Sequence, residues 1–105
     1  MAKRYRVELT PRAEHDIESF RVLIAQDKPR AAAKWVRDID RQIRSLSLMP
    51  LRYEVIPEAE AVKKEYRHII YGNYRVIYRI AENRVVVIRV VHAARLVTES
   101  MLEHD

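Results

Sequence analysis

The chain has a single glycine, and it stands in Gly72-Asn73 between two runs rich in β-branched and aromatic residues. A two-residue connection of this type supplies the positive φ that a tight β-hairpin turn demands. The last third of the chain is therefore read around that turn. Arg67–Tyr71 is the incoming strand, Tyr74–Ile80 the outgoing one, Ala81-Glu82-Asn83 a second turn and Arg84–His92 a third strand. The outcome is a three-stranded antiparallel meander. Alternation sorts its faces: Val76, Tyr78 and Ile80 side with Tyr74, against Arg75, Ile77 and Arg79. In the third strand Val86, Ile88 and Val90 side with His92, against Val85, Val87, Arg89 and Val91. Helices should cover the mostly apolar face. The other face is expected to lie open, with Arg75, Arg79 and Arg89 together on it.

The helices come from upstream. Arg4–Leu9 alternates, with Tyr5, Val7 and Leu9 on one side, and reads as a half-buried strand. Thr10-Pro11 is a helix start, a capping hydroxyl followed by proline in the first turn. Ala13, Ile17, Phe20 and Ile24 then form one helical stripe, leaving His15, Asp16, Glu18 and Arg21 toward water. Asp27-Lys28-Pro29 ends that helix and starts another, whose stripe is Ala32, Val36, Ile39, Ile43 and Leu46, widened by Trp35. So short a turn makes the pair an antiparallel hairpin, and neither helix is long enough to stand without a sheet beneath it. Met49-Pro50 ends the pattern, and Leu51 to Lys64 is a long aperiodic loop. Leu96–Asp105 reads as a short frayed helix or tail. The expected fold class is α+β: strand, helix hairpin, three-stranded antiparallel meander, in a single domain over residues 1–105. The first strand should join a mainly antiparallel sheet beside the last.

Composition narrows the function classes. Apolar types at 49% and charged types at 33% describe a folded domain rather than a disordered one. No cysteine is present, which excludes a disulfide scaffold, a thiolate nucleophile and a zinc finger built on Cys pairs. No run of about 18 apolar residues could span a membrane. Met1-Ala2-Lys3-Arg4-Tyr5-Arg6 leads into strand-like sequence without an apolar signal core, so a cytoplasmic location and no membrane partner are expected. The net charge of +5 is concentrated: residues 63–95 hold eight Lys/Arg against two Glu, and the rest of the chain twelve against thirteen. Such a footprint suits a polyanion or an acidic protein, and equally a solvated face coated with arginine stems. No carboxylate pair, His/Glu cluster at metal spacing or phosphate-cradling Gly loop is present, so no metal and no cofactor is expected.

Several strings resemble the RelE/ParE superfamily of toxin–antitoxin toxins. They are Val7-Glu8-Leu9-Thr10-Pro11-Arg12-Ala13-Glu14-His15-Asp16-Ile17, Leu48-Met49-Pro50-Leu51-Arg52-Tyr53-Glu54 with Pro57-Glu58, the meander string from Arg67 to Arg79, and Val90-Val91-His92-Ala93-Ala94-Arg95. The likeness covers roughly residues 4–97. It implies a small basic toxin neutralised by an antitoxin that wraps around it, expected to bind through an acidic segment that covers part of the helix hairpin's outer apolar rim. RelE-like members cut messenger RNA on the ribosome without a metal, whereas ParE-like members poison DNA gyrase. The closing His-Ala-Ala-Arg string is more similar to the ParE-type plasmid stabilisation branch. The alternatives are a RelE-type endoribonuclease and a non-toxic nucleic-acid or protein-binding module on the same fold.

Metal-free RNA cleavage needs a base for the 2′-hydroxyl, cations for the phosphate and an acid for the leaving oxygen. By resemblance, Arg75 matches the arginine of the Tyr-Arg-hydrophobic string, Arg67 or His68 a position on the first meander strand, and Arg95 with His92 the C-terminal positions. No tyrosine follows Tyr78, and Lys63 and Lys64 precede the strand where paired lysines would stand. The catalytic set, if the chain is RelE-type, is therefore Arg75, Arg95, His92 and His68, with a histidine as proton carrier. Arg67, Arg75, Arg79 and Arg89 are the candidates for nucleic-acid or partner binding. Each has a structural counterpart: His92 as a core-edge histidine bonded to backbone, and Arg75 paired with Glu8 or a loop glutamate.

Overall fold

The computed structural model describes residues 3–103, so the readings at Met1-Ala2 and His104-Asp105 lie outside it. Strand β1 (Arg6–Leu9) leads into helix α1 (Pro11–Asp27) and helix α2 (Pro29–Arg44). Strands β2 (Arg67–Tyr71), β3 (Tyr74–Ala81) and β4 (Arg84–His92) follow, then a four-residue helix α3 (Glu99–Leu102). The sheet order is β1-β4-β3-β2. β2, β3 and β4 are antiparallel neighbours, while β1 lies parallel to β4, so the sheet is mixed. The fold is α+β, with β1 beside the last strand as expected.

Local chemistry explains the boundaries. Thr10 is extended, and its Oγ1 accepts the Ala13 N–H at 3.0 Å, capping α1, with Pro11 in the first turn. The Lys28 N–H closes α1 on the Ile24 carbonyl, and Pro29 opens α2. Gly72 has φ 57°, the left-handed turn the sequence demanded. The second turn reaches φ 59° at Glu82, a residue with no glycine's freedom.

The helix-facing core joins Ala13, Trp35, Ile39, Ile43 and Leu46 to Val76, Tyr78, Val85, Val87 and Val90. This membership corrects the expected faces of β4. Ile77 pairs with Arg89 but Tyr78 pairs with Val87, so Ile88 has no opposite number on β3. Such a bulge exchanges the two faces downstream. Val85 and Val87 therefore join Val90 under the helices, and Val86 and Ile88 join Val91 on the far side. The carbonyl of Ile88 accepts the Thr10 hydroxyl at 2.8 Å, so the residue that caps α1 also bonds to the bulge.

The far face is not open. Ile56 and Val62 from the long loop, Tyr66, and Val97, Met101 and Leu102 from the C-terminal segment pack on Ile77, Val86, Ile88 and Val91 as a second core. The segment read as a frayed tail is docked, with Leu102 wholly buried. Arg75 and Arg89, expected on an open surface with Arg79, are inside, at 3% and 6% exposure, and only Arg79 is half-exposed. Burial on this scale requires partners. Asp16, expected toward water, is buried on α1, and its carboxylate accepts Arg89 Nε at 2.7 Å, Nη2 at 3.0 Å and the Val90 N–H at 3.0 Å.

Candidate functional site

A groove of about 430 Å³ runs between residues 54–58 of the loop, the outer face of β2 and β3, and residues 93–96. His68 and Arg75 form its floor, Glu54 and Glu58 one wall, and Ala94, Arg95 and Leu96 the other. Three of the four catalytic candidates thus line one cavity. The fourth, His92, sits at the end of β4, exposed, with its ring edge-on to Tyr74 at 5.8 Å between centroids. Its Nδ1 accepts the Ala94 N–H at 3.2 Å, the backbone-bonded edge histidine that the sequence allowed.

The groups on the floor are engaged with one another. Arg75 Nη1 donates to Glu58 Oε1 at 3.1 Å, and Nη2 donates to Glu58 Oε2 and to the Arg95 carbonyl at 2.9 Å. Arg75 Nη1 also lies 3.2 Å from His68 Nδ1. A guanidinium offers no lone pair, so Nδ1 is the acceptor and the His68 proton belongs on Nε2, 3.4 Å from Glu54 Oε1. Glu58 accepts the Val97 N–H as well, at 2.9 Å. The Arg75 guanidinium holds the Glu58 carboxyl far below the usual carboxylate range, at about 2, against a burial that would raise it. Arg75 is therefore paired with a loop glutamate, one of the two structural partners the sequence offered. Glu8 bonds to Arg84 instead.

The remaining arginines divide. Arg67 donates to the Tyr53 carbonyl at 2.6 Å and to Glu65 at 3.0 Å, pinning the loop to β2. Arg89 is committed to Asp16. Among the described residues Arg79, Arg95, Lys63 and Lys64 have no ion pair, so four of the eight local cations are left unpaired. One further acid carries local structure. Asp38 on α2 accepts the Tyr71 hydroxyl and Lys34 Nζ, tying α2 to the β2–β3 hairpin. Sequence reasoning missed Asp38, and it placed Glu54 in the loop without a role. Asp16 and Asp38 had a visible signal: Asp16 lies three residues after Ala13 and four before Phe20, and Asp38 three after Trp35, so both interrupt apolar stripes. No group of three or more His, Asp or Glu among the described residues is placed to hold a metal ion. No described helix is long and apolar enough to cross a membrane.

A strand, a helix hairpin and a mixed sheet of four strands, with a groove between the long loop and the C-terminal segment, make up the RelE/ParE toxin fold. Solved structures with the same fold include a chain of the chromosomal ParDE toxin–antitoxin system from P. aeruginosa, at TM-score 0.68 and 16% identity over 84% of this chain and 95% of that one. Another is a chain of the toxin-antitoxin complex RelBE2 from Mycobacterium tuberculosis, at TM-score 0.56 and 26% identity over 89% and 95%. None of the curated protein sequences matches the chain. Residues 7–97 match the family model of the ParE toxin of type II toxin-antitoxin systems, and the chain belongs to that family.

Proposed function

We propose that this chain is a growth-inhibiting toxin that acts on DNA gyrase and does not cleave RNA. One observation carries the reading: two of the four side chains that metal-free RNA cleavage would draw on, Arg75 and His68, are bonded to each other and to the loop. Arg75 is committed to Glu58, and His68 Nδ1, the only lone pair that ring could offer as a base, receives Arg75 Nη1. General acid–base catalysis contributes roughly 10²–10⁴-fold, and Arg75 and His68, engaged in this way, are not free to supply it. Family membership supports the same branch.

The same membership supports an antitoxin partner, and the surface suits one that binds through an acidic segment. Val22 and Leu23 are exposed on the outer side of α1, and Lys63, Lys64, Arg79 and Arg95 offer unpaired charge. A disordered acidic chain that folds on contact would cover both. The RelE-type alternative draws its support from the 26% identity with a chain of RelBE2. The test is induction in cells alongside supercoiling by purified gyrase. The expected result is filamentation with DNA-damage signalling, loss of supercoiling and no new messenger cuts on translating ribosomes. Cuts in the ribosomal A site that disappear in a folded Arg75→Ala variant would replace this reading with the RelE-type one.

A further inference from the structure

The Arg75 guanidinium directs both terminal nitrogens at one anion, and the chain itself supplies that anion. Glu58 reaches it from a loop turn 17 residues away in sequence, and its Oε2 also takes the Val97 N–H. A guanidinium fork joined by a backbone N–H is a donor set that holds a tetrahedral oxyanion as well as a carboxylate. The site also opens to solvent through the groove, where Arg95 is exposed at the rim. Stability alone is a weak reason for this arrangement, because a buried ion pair is commonly matched by apolar residues of equal volume. We propose that the Glu58 carboxylate is an internal stand-in for a small oxyanion, and that without it the groove binds phosphate through Arg75 and the Val97 N–H.

In the native chain the site is then shut in cis. The local effective concentration of Glu58 outcompetes a free anion, as any tethered ligand does. The same carboxylate links β3, the loop and the C-terminal segment, so an anion that replaces it should restore those links. This inference does not rest on the identity of the toxin's target, and its readout is independent of toxicity.

The experiment is chemical rescue of Glu58→Ala by inorganic phosphate. Thermal melts are recorded in phosphate and in chloride at equal ionic strength, for the native chain, Glu58→Ala, and Glu58→Ala combined with Arg75→Gln. The native chain measures the general stabilisation that phosphate gives any protein by exclusion from its surface. Expected is a melting temperature for Glu58→Ala that rises at 50 mM phosphate by roughly 5 °C or more beyond the native chain's own rise, as a ligand bound only by the folded state requires. The double variant should show no such excess. If Glu58→Ala is unfolded in chloride, the folded fraction recovered in phosphate is read instead. The proposal is overturned if phosphate does no more than chloride for Glu58→Ala. An equal gain in the native chain, or undiminished rescue without Arg75, would overturn it as well.

Discussion

Removing the Asp16 carboxylate should cost more stability than any other single change on α1. In Asp16→Ala the Arg89 guanidinium, 6% exposed, loses the acceptor of two hydrogen bonds, at 2.7 and 3.0 Å, and the Val90 N–H loses its acceptor at 3.0 Å. Only the Met101 carbonyl, 3.3 Å from Nη1, remains to Arg89. Breaking a buried pair by removing one partner costs about 3–5 kcal/mol, because the surviving charge stays desolvated. A domain of this size holds roughly 5–15 kcal/mol in all, so the variant should lose about a fifth of it or more. The measurement is urea unfolding, comparing midpoints at constant slope. The decisive control is Asp16→Leu combined with Arg89→Met, which removes both charges and keeps apolar volume. It should fall within about 1 kcal/mol of the native chain, since the desolvation penalty disappears with the pair. A cost below about 1 kcal/mol for Asp16→Ala, or a double variant as unstable as the single one, would refute the argument that the orphaned charge sets the loss.

Glu58 makes stability depend on acid. Its carboxyl sits at about 2 in the folded chain against an ordinary 4.5, so its contribution is complete above pH 4.5 and is lost as pH falls toward 2. The gap between the native chain and Glu58→Gln should shrink by about 3 kcal/mol over that window in urea melts, and parallel curves would contradict it. Glu82→Gly should gain about 0.5–1 kcal/mol by relieving the left-handed strain at φ 59°, seen as a higher melting temperature. Gly72→Ala should lose about 1 kcal/mol at φ 57°, all of it backbone strain, because the space around its Cβ is empty. Thr10→Ala should cost about 2 kcal/mol through the lost helix cap and the unpaired Ile88 carbonyl, with Thr10→Ser recovering most of it in the same thermal assay.

What was legible in the sequence is what local chemistry decides. Thr10-Pro11, Lys28-Pro29 and Gly72-Asn73 each punctuate the chain through dihedral preference or a capping group, and each boundary is found there. The bulge at Ile88 was not legible, because β4 is apolar on both faces and its alternation carries no mark of the slip. The covering of the far face was hidden too. Ile56, Val62, Val97 and Leu102 are isolated in irregular segments, and only the fold brings them together. At the candidate site, Arg75 stands out through its string, and a loop glutamate was one of the two partners left open for it. That the glutamate is Glu58, and that it also orders the C-terminal segment, depends on a loop path with no period to read.

The parallel pairing of β1 with β4 joins residues 6–9 to residues 84–87. During synthesis the first strand therefore waits for a partner made 78 residues later. At about 5–20 residues per second that interval lasts about 4–16 s. Through it the two helical segments have no closed sheet to rest on, and their apolar stripes remain available to whatever binds them first. A chain cut short before Arg84 never closes its sheet, so prematurely terminated products should be cleared as unfolded protein rather than accumulate as toxin. The topology thereby ties the toxin's maturation to completion of its own translation, and leaves a delay of seconds in which an antitoxin already present can meet it.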